Sequence, residues 1–160
     1  MPGNPSPEPP AGDDWLLLTD AVLSSALALE WSQGAPWGGV AGFFGIVRDH
    51  AEGRDDVVGV DYEAYEEQVL PRLRGLAAKA RSRWPDTGRI VLWHRIGYLA
   101  VGETSVVVVV SAPHRDGAFG ACRFLIDTLK ETLPIWKLEH WSEGSGWSPT
   151  VRPIDEVEQR

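Results

Sequence analysis

The chain has 160 residues, 43% hydrophobic and 24% charged, which is the composition of one globular domain able to bury a core without a disulfide or metal staple. Fifteen basic against 23 acidic residues give a net charge of −8, which excludes nucleic acid and anionic membrane as main partners, since both require a basic field. The single cysteine, Cys122, cannot close an internal disulfide, no apolar run approaches the roughly 20 residues of a membrane span, and no signal pattern opens the chain, so a cytoplasmic protein is expected.

Residues 1–14 carry five prolines and two glycines with no aromatic or branched apolar side chain, and read as a disordered tail. The folded domain is expected over 15–150, followed by a polar tail at 151–160. Trp15 to Leu18 reads as a strand, and Thr19 or Asp20 can cap a helix over Ala21 to Glu30. After a Gly/Pro turn (Gln33 to Gly39), Val40 to Val47 is a glycine-interrupted buried strand that leads into Arg48-Asp49-His50. Residues 49–56 are a polar, mobile loop, and Val57 to Tyr65 alternates as a strand. Val69, Leu73, Leu76, Ala80 and Trp84 mark one face of an amphipathic helix, with Pro71 placed in its first turn.

Arg89 to Ile96 and Thr104 to Ala112 are two further strands, joined by a glycine-rich connection from Gly97 to Gly102. Five consecutive valines, Val106 to Val110, leave no polar face, so this strand belongs at the covered centre of a sheet. A helix from about Gly117 to Leu133 sets Phe119, Cys122, Ile126, Leu129 and Leu133 on one stripe, and Pro134 closes it. Ile135 to Trp141 then alternates, with Lys137 and Glu139 on one face and Trp136, Leu138 and His140 on the other. The sum is an α+β (mixed α/β) domain with two main helices packed on a sheet.

Four stretches can carry chemistry. Lys130 and Lys137 stand seven residues apart across the helix-proline-strand corner. Alone, Lys130 would do no more than complement the helix dipole. A corner fixed by Pro134 can instead aim both ammonium groups into one cleft, where their repulsion makes one a usable nucleophile or base. Ser111 to Arg115 lies between the valine strand and a helix start, so His114 and Arg115 can cradle a phosphate or carboxylate, or else cap the helix and pair with Asp116. Arg48 to His50 ends a strand beside a mobile loop. Eight tryptophans complete the set, and Trp136, Trp141 and Trp147 can line a pocket for a flat heterocycle or simply fill the core.

Absences narrow the choice. The chain has no phosphate-binding G-x-x-x-x-G-K, no dinucleotide G-x-G-x-x-G and no G-x-S-x-G nucleophile turn. Its four histidines form no i, i+4 pair, and with one cysteine there is no zinc signature, so neither metal nor cofactor is expected. Cys122 falls on an apolar stripe, where packing rather than reactivity is the plain reading.

The run from Ser111 to Glu139, SAPHRDGAFGACRFLIDTLKETLPIWKLE, closely resembles the large, catalytic subunit of molybdopterin synthase. The resemblance extends to Phe43-x-Gly45-x-Val47-Arg48, Arg83 to Pro85 and His94 to Gly97, and covers about residues 15–150. It implies an α/β hammerhead fold with an additional antiparallel β-sheet. The implied activity is sulfur transfer from the thiocarboxylated Gly-Gly tail of a small ubiquitin-like subunit to cyclic pyranopterin monophosphate, in molybdenum cofactor biosynthesis. A central homodimer with one small subunit at each end is the implied assembly.

Carried over by position, Lys130 and Lys137 match the family's pocket lysines, with Lys130 the more essential. Arg48, His114, Arg115, Val47 and Glu139 match substrate-binding positions, with Glu139 placed to orient Lys137, and Phe43 matches the tail channel. Ile46, Pro113 and Gly146 depart from the family pattern. Gly146 stands where the family has an arginine, which raises the question whether Arg152 takes its place. Two other readings compete: a non-catalytic module that docks a Gly-Gly tail, and a persulfide transferase acting through Cys122.

Overall fold

The computed structural model describes residues 7–148; the start of the expected N-terminal tail, the expected C-terminal tail and Arg152 lie outside the described residues. In chain order the elements are β1 (Asp14–Thr19), α1 (Ser25–Ser32), β2 (Gly39–Ile46), β3 (Val57–Ala64), α2 (Glu66–Arg83), β4 (Ile90–Arg95), β5 (Gly97–Ala100), β6 (Thr104–Ala112), α3 (Arg115–Thr132), β7 (Ile135–Trp141) and β8 (Gly144–Trp147). They form two four-stranded sheets. The first runs β1-β4-β6-β2, with β1 parallel to β4 and the other pairs antiparallel. The second runs β5-β3-β7-β8 and is antiparallel throughout. This is the α+β architecture expected, including the additional antiparallel sheet.

The valine strand β6 sits between β4 and β2, and all five of its valines are fully buried. Strand alternation splits them between two layers. Val106, Val108 and Val110 face α2 and α3, in a core with Leu73, Leu76, Leu125 and Leu129. Val107 and Val109 face the opposite side, where Trp15, Trp93 and Ala28 of the short helix α1 cover them. Helices therefore lie on both faces of this sheet, one face more than the sequence suggested.

Several boundaries differ from expectation for identifiable reasons. The first helix begins at Ser25, capped by Ser24, whose hydroxyl accepts from the Leu27 amide at 3.2 Å. The Thr19 hydroxyl accepts from the Ala21 amide and makes a turn instead. Helix α2 starts at Glu66, which puts Pro71 in the second turn, where its missing N–H costs the bond to the Glu67 carbonyl. The buried stripe of Val69, Leu73, Leu76, Ala77 and Ala80 holds the helix together regardless.

On α3 the buried stripe runs through Ala118, Ala121, Cys122, Leu125 and Leu129. Phe119, expected on it, is 66% exposed, because the small Ala118 and Ala121 bring the helix close to the sheet and turn the neighbouring position outward. The connection from Gly97 to Gly102 contains β5, paired with β3 and bounded by Gly97 and Gly102 in the left-handed φ region that favours glycine. Strand β8, not foreseen, pairs with β7. Within the expected tail, Asp14 opens β1 and its carboxylate accepts from the Arg81 guanidinium at 2.6 and 3.1 Å.

Candidate functional site

Helix α3 ends at Thr132, Pro134 forbids its continuation, and β7 starts at Ile135. The turn is anchored by the Tyr65 amide, which donates to the Pro134 carbonyl at 3.0 Å. Lys130, in the last helical turn, and Lys137, third in β7, therefore converge on one cleft of about 140 Å³. Its apolar wall is Leu129, Leu133 and Ile135, and its remaining lining is Tyr62, His94, Trp136 and Ser148. Lys137 stands directly opposite Tyr62 in the β3–β7 ladder. A smaller adjoining hollow shares Tyr62 and Lys137 and adds Val47, Arg48, His50 and Glu139.

The electrostatics separate the two lysines. Lys130 is exposed as a whole residue, but desolvation of its ammonium group against the cleft wall pushes its pKa below the usual lysine value, and the charges of Lys137 and Arg48 push it the same way. Lys137 has an acidic partner: its Nζ lies 3.6 Å from Oε1 of Glu139, a carboxylate only 7% exposed. Burial raises the Tyr62 phenol above its ordinary pKa. One lysine of lowered pKa, one ion-paired lysine and one guanidinium thus line adjoining, partly desolvated hollows, a set suited to acyl chemistry and to holding an anion.

The expected site residues divide into two groups. Lys130, Lys137, Glu139, Arg48 and Val47 come together around the two hollows. Val47 is buried and holds the strand end by exchanging backbone hydrogen bonds with Glu103 and Gly102 at 2.9 and 2.8 Å. His114 and Arg115 do not join them. They are exposed at the N-terminus of α3, sixteen and fifteen residues before Lys130, which puts them about 22 Å or more away at 1.5 Å per residue. His114 takes the cap position without a side-chain capping bond. Phe43 is 41% exposed on β2, an edge strand of the first sheet.

Of the other candidates, Cys122 is buried, its thiol pushed up to about 11, with Sγ 3.8 Å from the Val108 carbonyl. It is a packing residue. Gly146 lies opposite Glu139 in β8, and a Cβ there would sit 3.1 Å from the Trp141 ring. That ring already carries the Arg54 guanidinium on its face, 3.3 Å from the centroid. Sequence reasoning did not select Tyr62 and His94 as site residues. The available signal was a histidine closing the otherwise apolar run Ile90 to Trp93 and a tyrosine in the alternating strand β3.

A family profile described as MoaE protein matches residues 18–132. The molybdopterin synthase catalytic subunit of Nostoc sp. is 45% identical over 85% of this chain and 82% of its own length. That of Pyrococcus abyssi is 41% identical over 80% and 84% of the two chains. In three dimensions the chain resembles the crystal structure of molybdopterin synthase from Staphylococcus aureus, with a TM-score of 0.76 and 31% identity, over 82% of this chain and 94% of that one. The profile spans most of the chain, through Lys130 and the end of α3, the relatives and the fold agree with it, and the chain belongs to the MoaE protein family.

Proposed function

We propose that this protein is the catalytic subunit of a molybdopterin synthase. In this reading it transfers sulfur from the thiocarboxylated C-terminus of a small ubiquitin-like subunit to cyclic pyranopterin monophosphate. The observation that carries the reading is the convergence of Lys130 and Lys137 in one cleft, with the Lys130 pKa lowered. Delivering sulfur from a thiocarboxylate requires cleavage of the bond between sulfur and the acyl carbon. Once that sulfur has bonded to a carbon of the substrate, Lys130 acts as the base that deprotonates a water attacking the acyl carbon, so that the tail leaves as a carboxylate and the sulfur stays on the substrate as a thiolate. Lys137, oriented by Glu139, stabilises the oxyanion that develops on the acyl oxygen. Arg48, beside Val47 at the mouth of the smaller hollow, receives an anionic group of the substrate.

Phe43 guides the incoming tail along β2. His114 and Arg115 are too far along α3 to reach the same substrate within one chain, so their role in binding it requires the homodimer, in which a second copy supplies them. The chain needs no thiol of its own, because the sulfur arrives on the partner.

The test mixes the purified protein with thiocarboxylated small subunit and cyclic pyranopterin monophosphate and measures molybdopterin. Wild type is expected to make product, and Lys130→Ala to bind the small subunit but make none. A wild-type protein that forms a stable complex without product would refute the catalytic reading in favour of a docking module.

A further inference from the structure

The cleft contains one buried polar group that the chemistry above leaves unused. His94, near the end of β4, is 3% exposed and lines the cleft with Lys130, Lys137 and Tyr62. Its Nδ1 lies 2.8 Å from the Arg95 carbonyl oxygen. A carbonyl can only accept, so Nδ1 carries the proton, and in the neutral ring Nε2 is a bare lone pair. The edge of the Tyr62 ring meets the imidazole at a centroid distance of 5.1 Å and helps fix its plane. Among the described residues no donor is hydrogen-bonded to Nε2. An acceptor without a hydrogen-bonded donor, on an otherwise buried ring, therefore borders a cleft whose other polar groups are mostly donors.

The ring is held neutral. Burial, with the Lys130 charge acting in the same direction, lowers its pKa to about 4, only partly opposed by the bond to Arg95. Around it stand Tyr62 from β3, Lys130 from α3 and Lys137 from β7; Arg48, at the end of β2, adds its charge at Lys130 and Tyr62.

Resting on the sulfur-transfer reading, we propose that His94 is a positioning residue for Lys130. Its Nε2 accepts a hydrogen bond from the lysine ammonium group, directly after rotation of the lysine side chain or through one water, and so aims the amine into the cleft. The neutrality of the partner is what matters. A carboxylate in the same place, as Glu139 is for Lys137, would favour the charged lysine by a full ion pair and oppose formation of the free amine. An imidazole orients the lysine while leaving most of its pKa depression in place.

The test needs no substrate for its decisive part. Lysines of wild type, His94→Phe and His94→Gln are methylated with a carbon-13 label, the Lys130 resonance is assigned by its loss in Lys130→Ala, and its titration is followed by NMR. Phenylalanine keeps the ring against Tyr62 and removes the acceptor, so the Lys130 midpoint is expected to fall by about one pH unit. Glutamine returns an amide oxygen near the Nε2 position and is expected to restore the midpoint. Equal midpoints in all three proteins, or a rise in His94→Phe, would overturn the proposal.

If His94→Phe does not fold, the nitrogen-15 resonance of His94 Nε2 is compared between wild type and Lys130→Met. A change is expected on losing the donor, and an unchanged resonance would overturn the proposal equally. Single-turnover sulfur transfer is expected to drop about tenfold in His94→Phe, with recovery in His94→Gln. A wild-type protein that makes no molybdopterin would sink the functional reading but leave the lysine titration to decide the role of His94.

Discussion

Glu139 is a carboxylate with 7% of its surface exposed, and Lys137 Nζ is its cation at 3.6 Å. At that separation Coulomb's law gives about 4–5 kcal/mol at an effective dielectric of 20 and about 1 kcal/mol in water. The Lys137 side chain is 30% exposed and that of Glu139 9%, so the pair lies between these limits, and a coupling of about 2 kcal/mol is expected. Lys137→Met removes the cation and strands the buried carboxylate; Glu139→Gln removes the charge; the double variant removes both. Urea unfolding of the four proteins closes a double-mutant cycle. Lys137→Met is expected to be the least stable, with Glu139→Gln in its background recovering most of the loss. A coupling below about 0.5 kcal/mol would refute the reasoning, because it would make the pair an ordinary screened surface contact and remove the basis for saying that Glu139 orients Lys137.

Other consequences can be measured on the same material. His94 ionises near pH 6.5 when unfolded and only at about 4 when folded, so the unfolded state binds the extra proton between these values. Its contribution is complete above pH 6.5 and is lost as pH falls to 4, about 3 kcal/mol in all, and unfolding of His94→Gln should show a correspondingly flatter acid limb. Cys122→Ala is expected to retain full sulfur transfer, and native Cys122 to resist a disulfide-exchange reagent until the protein unfolds; loss of activity would revive a persulfide route. Leu125→Ala, at a fully buried position between α3 and the first sheet, is expected to cost about 3 kcal/mol by urea unfolding without changing affinity for the small subunit.

What the sequence disclosed was what local pattern encodes. The valine run, the alternation from Ile135 to Trp141 and the stripe through Val69 and Leu73 each name their element and its buried side, and Pro134 fixes the corner that joins the lysines. Strands β5 and β8 escaped because each has only four residues, opens on a glycine, and exists through pairing with β3 and β7 rather than through any preference of its own. Phe119 was misplaced because a helical stripe read from large residues overlooks alanines that set the distance to a sheet. His114 and Arg115 sit at a helix start, a favourable place for an anion, but the length of α3 carries them away from Lys130. Tyr62 and His94 meet only because the second sheet lies against the end of β4, a juxtaposition 32 residues apart in the chain that no short-range pattern records.

Strand β6 is a shared wall of two cores, with Val106, Val108 and Val110 on one side and Val107 and Val109 on the other, and β4 beside it divides in the same way, Ile90 and Leu92 against Val91 and Trp93. Neither helical layer can therefore loosen its grip on the sheet without disturbing the strand on which the other rests. Melting should accordingly proceed as one cooperative event, with the β6 amides the last to exchange with solvent and the α1 side unable to open as an independent unit.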